Sequence, residues 1–316
     1  MSLSPTDRDR WIELLQSDIA AFNRERRALP RGSRPDLRGA DLRGIDLTTA
    51  HLTTCDLTDA DLTGATSPKT GLPSCRLVGT VLTNVVWTSA AHQEKVRQIQ
   101  LILTSPDAFN AYRQAVEPAI LGMADLSGVV LGEVDLRGLD LGGGNLEGTD
   151  LRRCRMRKVD LTGARLRGAR LAGVQLDLAQ MEKADLSDAD FAGCRFDVAV
   201  LTAATAHSAN FVDTSWDRAS LGGLSAVQAD FSRATMKMVN FLEADLSFVL
   251  FHGASLSNCD FSFAKLSQCD FEGATLVGCR FSDADLAGTN FAGATLIDTD
   301  LAAANNLSEA LGVGGG

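Results

Sequence analysis

The stretch FEGATLVGCRFSDADLAGTNFAGATLIDTDL, residues 271–301, places a large apolar residue at every fifth position. The seven residues that keep this spacing are Phe271, Leu276, Phe281, Leu286, Phe291, Leu296 and Leu301. An α-helix repeats its buried positions about every 3.6 residues and a half-buried strand every second residue, so neither element explains the pattern. The spacing indicates a repeat architecture in which the chain turns a corner once in every five residues.

The five-residue spacing extends over more than half of the chain. Between Leu126 and Leu301 there are 36 such positions, and 34 of them carry Leu, Phe, Met or Trp; the exceptions are Ala206 and Ala226. The residue two positions earlier is small, and the residue directly before is often Asp or Asn. We predict that the large residue points inward, that the small one packs beside it, and that the Asp side chain caps the backbone at the corner.

A turn of four such units has 20 residues, and the aromatic residues support this length. One set of Phe residues is spaced by 20 and a second set lies ten residues away, which predicts two opposite inner faces: Phe191, Phe211, Phe231, Phe251, Phe271 and Phe291, then Phe241, Phe261 and Phe281. Stacked at strand spacing, the nine turns from residue 126 onward would form a rod about 43 Å long.

The remaining segments depart from the spacing and divide the chain. We expect a capping helix in residues 1–34, a first repeat segment at 35–88, an inserted helical hairpin at 89–120, the main solenoid at 121–306 and a C-terminal tail at 307–316.

The N-terminal helix has an apolar face, and a repeat protein needs such a cover over its first open edge. That face is formed by Trp11, Leu14, Leu15, Ile19 and Phe22. A dedicated docking helix is the alternative.

The insert has two apolar faces of its own. The first contains Val96, Ile99, Ile102 and Leu103, and the second contains Phe109, Tyr112, Val116 and Ile120. The first segment also breaks at SPKTGLP, residues 67–73, and resumes weakly at Leu77. The insert is either a large loop on a continuous solenoid or a joint between two solenoids, and it either packs on the rod or presents a partner surface.

The repeat unit resembles that of the pentapeptide-repeat proteins, A(D/N)LXX, in the segments ADLRG (40–44), ADLTG (60–64), ADLSD (184–188) and ANF (209–211). The resemblance covers residues 35–88 and 121–306. It implies an all-β solenoid, a right-handed quadrilateral parallel β-helix with four pentapeptides per coil, here with an N-terminal helix and an inserted helical hairpin. Some members that resemble this chain bind type II topoisomerases by mimicking DNA. Other members resemble chaperones, secreted effectors or binding scaffolds.

Charge and hydropathy limit the kinds of partner that we expect this protein to bind. The net charge of −10 is concentrated in residues 177–316, which hold 7 basic and 19 acidic side chains. Direct nucleic-acid binding is not expected there, because phosphates would be repelled. No apolar run is long enough to span a membrane, and the start MSLSPTDRDRW lacks a signal-peptide core, so we expect a cytoplasmic protein without a membrane partner.

Nothing in the sequence indicates catalysis, a cofactor or a metal. All seven cysteines occupy the small position two residues before an inward residue, which predicts buried packing rather than thiol chemistry. The four histidines are scattered without ligand spacing, and the glycine-rich segment 138–148 keeps the five-residue spacing, so its glycines are expected at corners rather than in a nucleotide loop.

Two outward charge features are the candidate partner surface. The first is a basic collar in residues 152–170, represented by Arg152, Arg155, Arg157, Arg167 and Arg170. The second is a column of like charges at a spacing of 20, Asp177, Asp197 and Asp217. The column suits a basic partner unless Arg195 and Arg218 neutralise it.

These features favour a non-enzymatic protein-binding scaffold or adaptor built on the rod. The alternative is a DNA mimic that binds DNA gyrase or another type II topoisomerase and protects it from an inhibitor, although the basic collar counts against a duplex mimic. The resemblance also implies a homodimer that forms through one end of the rod. In that dimer the segment NNLSEALGVGGG (305–316) would be a short terminal helix that mediates the pairing.

Overall fold

The computed structural model describes residues 5–30, 33–115 and 121–312, and the chain forms two compact units, Met1–Leu126 and Ser127–Gly316. No helix among the described residues is long and apolar enough to cross a bilayer.

The first unit begins with two helices where the sequence predicts one. Helix α1 is Pro5–Ser17 and α2 is Ile19–Arg27. They are separated at Asp18, whose extended φ of −148° ends α1 and whose carboxylate accepts a hydrogen bond from the Ala21 N–H at 2.9 Å. An N-cap aspartate of this kind starts a new helix and changes its direction.

These helices cover the first turn of the coil. Trp11, Leu15 and Phe22 are buried in one apolar cluster with the inward leucines that start at Leu37. The Asn23 side chain donates to Thr49 O and accepts from His51 N, both at 2.8 Å. Backbone groups of the open edge thus have hydrogen-bond partners in the helices.

The coil of the first unit keeps its register through the segment SPKTGLP. Parallel bridges join residues 20 apart on both sides of it, Asp56 to Arg76 and Thr66 to Val86. Ser67 takes one inward position, where its hydroxyl lies 3.2 Å from that of Thr88, and Leu72 takes the next. The break in the apolar pattern is therefore not a break in register, because a hydrogen-bonded serine replaces an apolar residue at one inward position.

The insert forms a helical hairpin, with α3 at Ala90–Thr104 and α4 at Pro106–Ala115. Val96, Ile99, Ile102 and Phe109 are buried, Leu103 and Tyr112 are half-buried, and Val116 and Ile120 lie outside the described residues.

Helix α3 packs on the first coil, since Val96 belongs to its core cluster and the Gln100 side chain donates to Leu77 O at 3.0 Å. The chain then returns to the same coil, where Asp125 pairs with Arg76 in parallel.

The second unit is a parallel β-solenoid with 20 residues in each turn. Its strands have three residues each: β1 Ser215–Asp217, β2 Thr235–Lys237, β3 Ser255–Ser257, β4 Thr275–Val277 and β5 Thr295–Ile297. They form one parallel sheet in chain order, with Trp216 opposite Met236 and Leu256 opposite Leu276. A short 3-10 helix, Leu307–Glu309, follows in place of the expected terminal helix.

Stacked aromatic rings fill this interior. Successive rings from Phe191 to Phe291 lie 4.6–5.4 Å apart between centroids, as expected for one column. The second column meets the first edge to face, for example Phe241 and Phe251 at 6.2 Å. Trp216 lies on the side opposite Ala206 and Ala226, so the largest inward side chain faces the two smallest.

The aspartates cap the corners. Oδ1 of Asp140 accepts a hydrogen bond from the Gly142 N–H at 2.8 Å. Asp230 and Asp270 each accept a hydrogen bond from the N–H of the residue two positions later. Two residues after most inward positions the backbone is left-handed; Gly138, at φ 66°, is one example. The glycines of segment 138–148 are therefore corner residues, as predicted.

Candidate binding surfaces

One side of the second unit carries most of the charges predicted to face a partner. Its inward residues are Leu136, Met156, Leu176, Phe196 and Trp216. The residues that directly follow them form one column, 20 residues apart: Arg137, Arg157, Asp177, Asp197 and Asp217. This side, called here the charge-divided side, is basic in its first turns and acidic in the next.

Arginines neutralise the acidic half of the charge-divided side. Arg195 contacts Asp177 at 2.9 Å and Asp197 at 2.8 Å, and Arg218 contacts Asp217 at 3.0 Å. These are the ion pairs that the alternative interpretation of the column requires. Because each carboxylate has a cationic partner, the repulsion within the column is offset.

The other predicted basic residues are distributed around the coil. Arg152 pairs with Asp150 at 2.6 Å on the neighbouring side, where Arg170 also lies. Arg167 pairs with Asp188 at 2.7 Å on the side opposite Met156. Only part of the predicted set is therefore brought together.

A cleft of about 410 Å³ opens at the basic end of the charge-divided side. Five arginines line it, Arg137, Arg152, Arg153, Arg155 and Arg157, together with Cys154, Met156 and residues 173–175. Arg155 and Arg157 are exposed and form no ion pair within the described residues. The cleft therefore contains unneutralised positive charge.

Two exposed phenylalanines were not anticipated from the sequence. Phe248 and Phe263 occupy corner positions with φ of 61° and 59°, and their exposed fractions are 53% and 57%. A bulky residue rarely adopts this left-handed conformation. A signal was present in the sequence, because both stand two residues after an inward residue, where Gly, Asp or Asn is easier to accommodate.

The coil also assembles one group of possible metal ligands. Ligand atoms of His252, Asp270 and Glu272 lie within 4.8 Å of one another on the exposed surface. The expectation that no histidine has a ligand-spaced partner is wrong here, because residues 20 apart in sequence are neighbours in the solenoid. Imidazole with two carboxylates is a donor set that divalent transition metals accept.

The seven cysteines are free and buried, as predicted. Burial raises the pKa of Cys55, Cys154 and Cys194 to about 12. Such thiols are protonated at neutral pH and are poor nucleophiles.

Comparison with known families agrees with this geometry. The family model "Pentapeptide repeats" matches the chain in eight copies that together cover more than half of it: residues 36–66, 121–153, 135–173, 145–182, 179–215, 244–283, 264–302 and 279–310. The chain belongs to the pentapeptide repeat family.

Solved structures with the same repeat are similar to this chain at low identity. HetL, a pentapeptide repeat protein involved in heterocyst differentiation regulation from the cyanobacterium Nostoc sp. strain PCC 7120, is 22% identical, with 92% of this chain and 96% of HetL covered and a TM-score of 0.22. Full-length QnrB1, a plasmid-mediated fluoroquinolone resistance protein, is 19% identical over 60% of this chain and 89% of its own, with a TM-score of 0.27.

A pentapeptide repeat protein from the Arabidopsis thaliana thylakoid lumen is 26% identical over 35% of this chain and 63% of its own, with a TM-score of 0.13. At these TM-scores the matches carry no functional argument. Among curated protein sequences there is no significant match.

Proposed function

We propose that this protein is a non-enzymatic scaffold that binds another protein through the second unit. The observation that supports this most directly is the pair of exposed corner phenylalanines, Phe248 and Phe263. Each occupies a backbone conformation that costs a bulky residue about 1–2 kcal/mol. A partner that covers these side chains would explain why aromatic residues occupy such strained positions and are exposed to water.

The surface between the two phenylalanines suits a flat protein partner. They stand at the two corners that bound the side whose inward residues include Leu246 and Leu266. The outward residues between them are short or paired, and Lys265 contacts Asp245 at 3.4 Å. We infer a partner with a level surface and two apolar sockets, since buried aromatic anchors dominate the binding energy of such interfaces.

The double variant Phe248→Asn, Phe263→Asn tests this proposal. Asn tolerates the left-handed corner, so we expect unchanged or higher thermal stability together with loss of the partner. The measurement is affinity capture from a lysate of the source cells, followed by identification of each retained protein and titration of the purified candidate against both forms.

The matched control is Gln228→Asn, one turn before Phe248 in the same column and also left-handed at φ 63°. It should retain the partner with wild-type affinity. A partner bound equally well by the double variant would show that the phenylalanines are not the docking site.

The excess acidic charge of residues 177–316 favours a second candidate function, a DNA mimic that binds DNA gyrase and protects it. A regular array of carboxylates can replace the phosphates of a duplex in a basic channel. A supercoiling assay with purified gyrase, with and without a quinolone, distinguishes the candidates. Inhibition or protection is expected for the mimic, and an unchanged reaction at large molar excess excludes it.

The last turn offers a surface for a second copy of the chain. Leu296, Ile297 and Leu311 are exposed there, and β5 is the outer strand of its sheet. An exposed apolar edge strand is a template for pairing. We expect sedimentation velocity to detect a dimer that Ile297→Lys and Leu311→Lys together convert to monomer; a monomeric wild type at high concentration excludes it.

A further inference from the structure

The series of parallel bridges in the second unit is interrupted at one position among the described residues. From residue 130 to residue 300 every parallel bridge between residues 20 apart is present among the described residues, except that between Arg155 and Gln175. On the next turn Leu176 N donates to Arg195 O at 2.8 Å. The corresponding donor, Met156 N, has no such acceptor.

The missing bridge between Arg155 and Gln175, called here the opening, lies beside the arginine-lined cleft and leaves backbone N–H groups without a partner. The Gln175 N–H lacks the carbonyl that its equivalent, Arg195 N, finds in Val174 at 3.2 Å. Met156 and Gln175 both line the cleft. Unpaired backbone N–H groups away from bulk water are rare and are normally given a partner. Met156 is fully buried, so the donor that the cleft can present to a ligand is the Gln175 N–H.

The charges around the opening are unbalanced. Arg137, Arg152 and Arg153 each contact a carboxylate at the edge of the cleft, namely Asp135, Asp150 and Glu133. Arg155 and Arg157 have no such contact within the described chain and stand on either side of Met156. Like charges this close repel one another, so an anion between them would be bound favourably.

We propose that this opening is a binding site for a phosphate group, carried by a small molecule or by a side chain of another protein. A guanidinium fork matches two phosphate oxygens, and backbone N–H groups in a concave wall bind the remaining oxygen. A volume of about 410 Å³ accommodates a group as large as a diphosphate. The site is independent of the phenylalanine surface proposed above.

Isothermal titration of the full-length protein tests the site, with pyrophosphate, inorganic phosphate, a phosphoserine peptide and citrate as separate ligands at constant ionic strength. We expect saturable 1:1 binding of at least one phosphate ligand. Pyrophosphate as the tighter ligand would indicate a free small molecule, and the phosphopeptide would indicate a modified protein. Citrate binding as tightly as every phosphate ligand would overturn the phosphate assignment.

The variant Arg155→Gln, Arg157→Gln should weaken binding by about tenfold or more, because two charge-assisted contacts are lost. The matched control, Arg233→Gln with Arg280→Gln, removes the same charge from exposed positions outside the cleft and should bind like the wild type. Thermal unfolding should show that both variants are folded. Equal affinity of the two variants, or no saturable binding by the wild type, would contradict the proposal.

Hydrogen exchange gives a second readout that does not depend on a variant. The amide of Gln175 should exchange rapidly in the free protein and slowly after addition of pyrophosphate, while the exchange of the Leu176 amide should not change. Unaltered exchange at Gln175 at a saturating concentration of pyrophosphate would contradict the proposal.

Discussion

At the scale of single residues, each position of the five-residue unit has one physical role, and most of these roles can be predicted from the sequence. The inward apolar residues, the small residues beside them and the Asp caps were all expected from spacing alone. The place of Phe248 two residues after an inward residue marks it as a corner residue, although its side-chain chemistry does not indicate the positive φ that the corner requires. The hydrogen-bonded Ser67 was missed for a related reason, since a polar residue masks an inward position.

The capping carboxylates predict how stability depends on pH. Hydrogen bonds from Arg152 lower the pKa of Asp150 from an ordinary value of 3.8 to about 2. A group with a lowered folded pKa contributes stability above its unfolded pKa and loses it as the pH falls through the folded value. The contribution of Asp150 should therefore be complete above about pH 4 and lost toward about pH 2.

The variant Asp150→Asn isolates this effect, because the amide oxygen can still cap the Arg152 N–H. We expect it to cost about 1 kcal/mol at neutral pH, since the half-exposed guanidinium is screened by water. Urea unfolding of both proteins between pH 7 and pH 2 should show the difference disappear in acid. A difference that does not vary with pH would show that the charge contributes nothing.

Burial of the cysteines predicts low thiol reactivity. In the native protein a disulfide reagent such as DTNB should modify all seven thiols slowly at neutral pH, because burial excludes the reagent and also raises the pKa of thiols such as Cys55 and Cys194. Denaturation should expose all seven at once. Rapid modification of any one of them in the folded protein would indicate a thiol that the described packing does not bury.

At the scale of elements, the sequence predicts the helices but not how they end or what they contact. The apolar face from Trp11 to Phe22 predicts a single helix, and Asp18 divides it because its side chain caps a new one. The bonds from Asn23 to the edge of the coil depend on which backbone groups the first turn leaves open. The missing bridge between Arg155 and Gln175 could not be predicted, because both residues keep the regular place directly before an inward residue.

Edge capping by Asn23 predicts a measurable loss of stability in Asn23→Ala. Two backbone groups, Thr49 O and His51 N, would lose their partners, at a cost of about 1–3 kcal/mol. Urea unfolding of the variant measures this cost. Arg24→Ala, which changes an exposed neighbour on the same helix, is the control and should change stability by less than about 0.5 kcal/mol. Equal stability of the two variants would mean that water satisfies the edge as well as α2 does.

At the scale of the whole molecule, the spacing of 20 residues organises both structure and function. It predicts the two phenylalanine columns, and it also brings together His252 with Glu272, a pairing that a search for local ligand spacing overlooks. Charge totals over long segments were less informative, since the acidic column is neutralised by Arg195 while the basic cleft is not. The surfaces proposed for binding therefore lie where the coil is irregular: at the exposed corner phenylalanines and at the missing bridge beside the arginine-lined cleft.

Residue-resolved hydrogen exchange tests whether the described part of the second unit is a 20-residue parallel coil that lacks the bridge between Arg155 and Gln175. Amides of inward residues such as Leu136 and Leu176, which donate to the adjacent turn, should exchange slowly with a five-residue period. Within this pattern Gln175 should exchange quickly. Protection without the five-residue period would contradict the coil, and slow exchange at Gln175 would contradict the missing bridge.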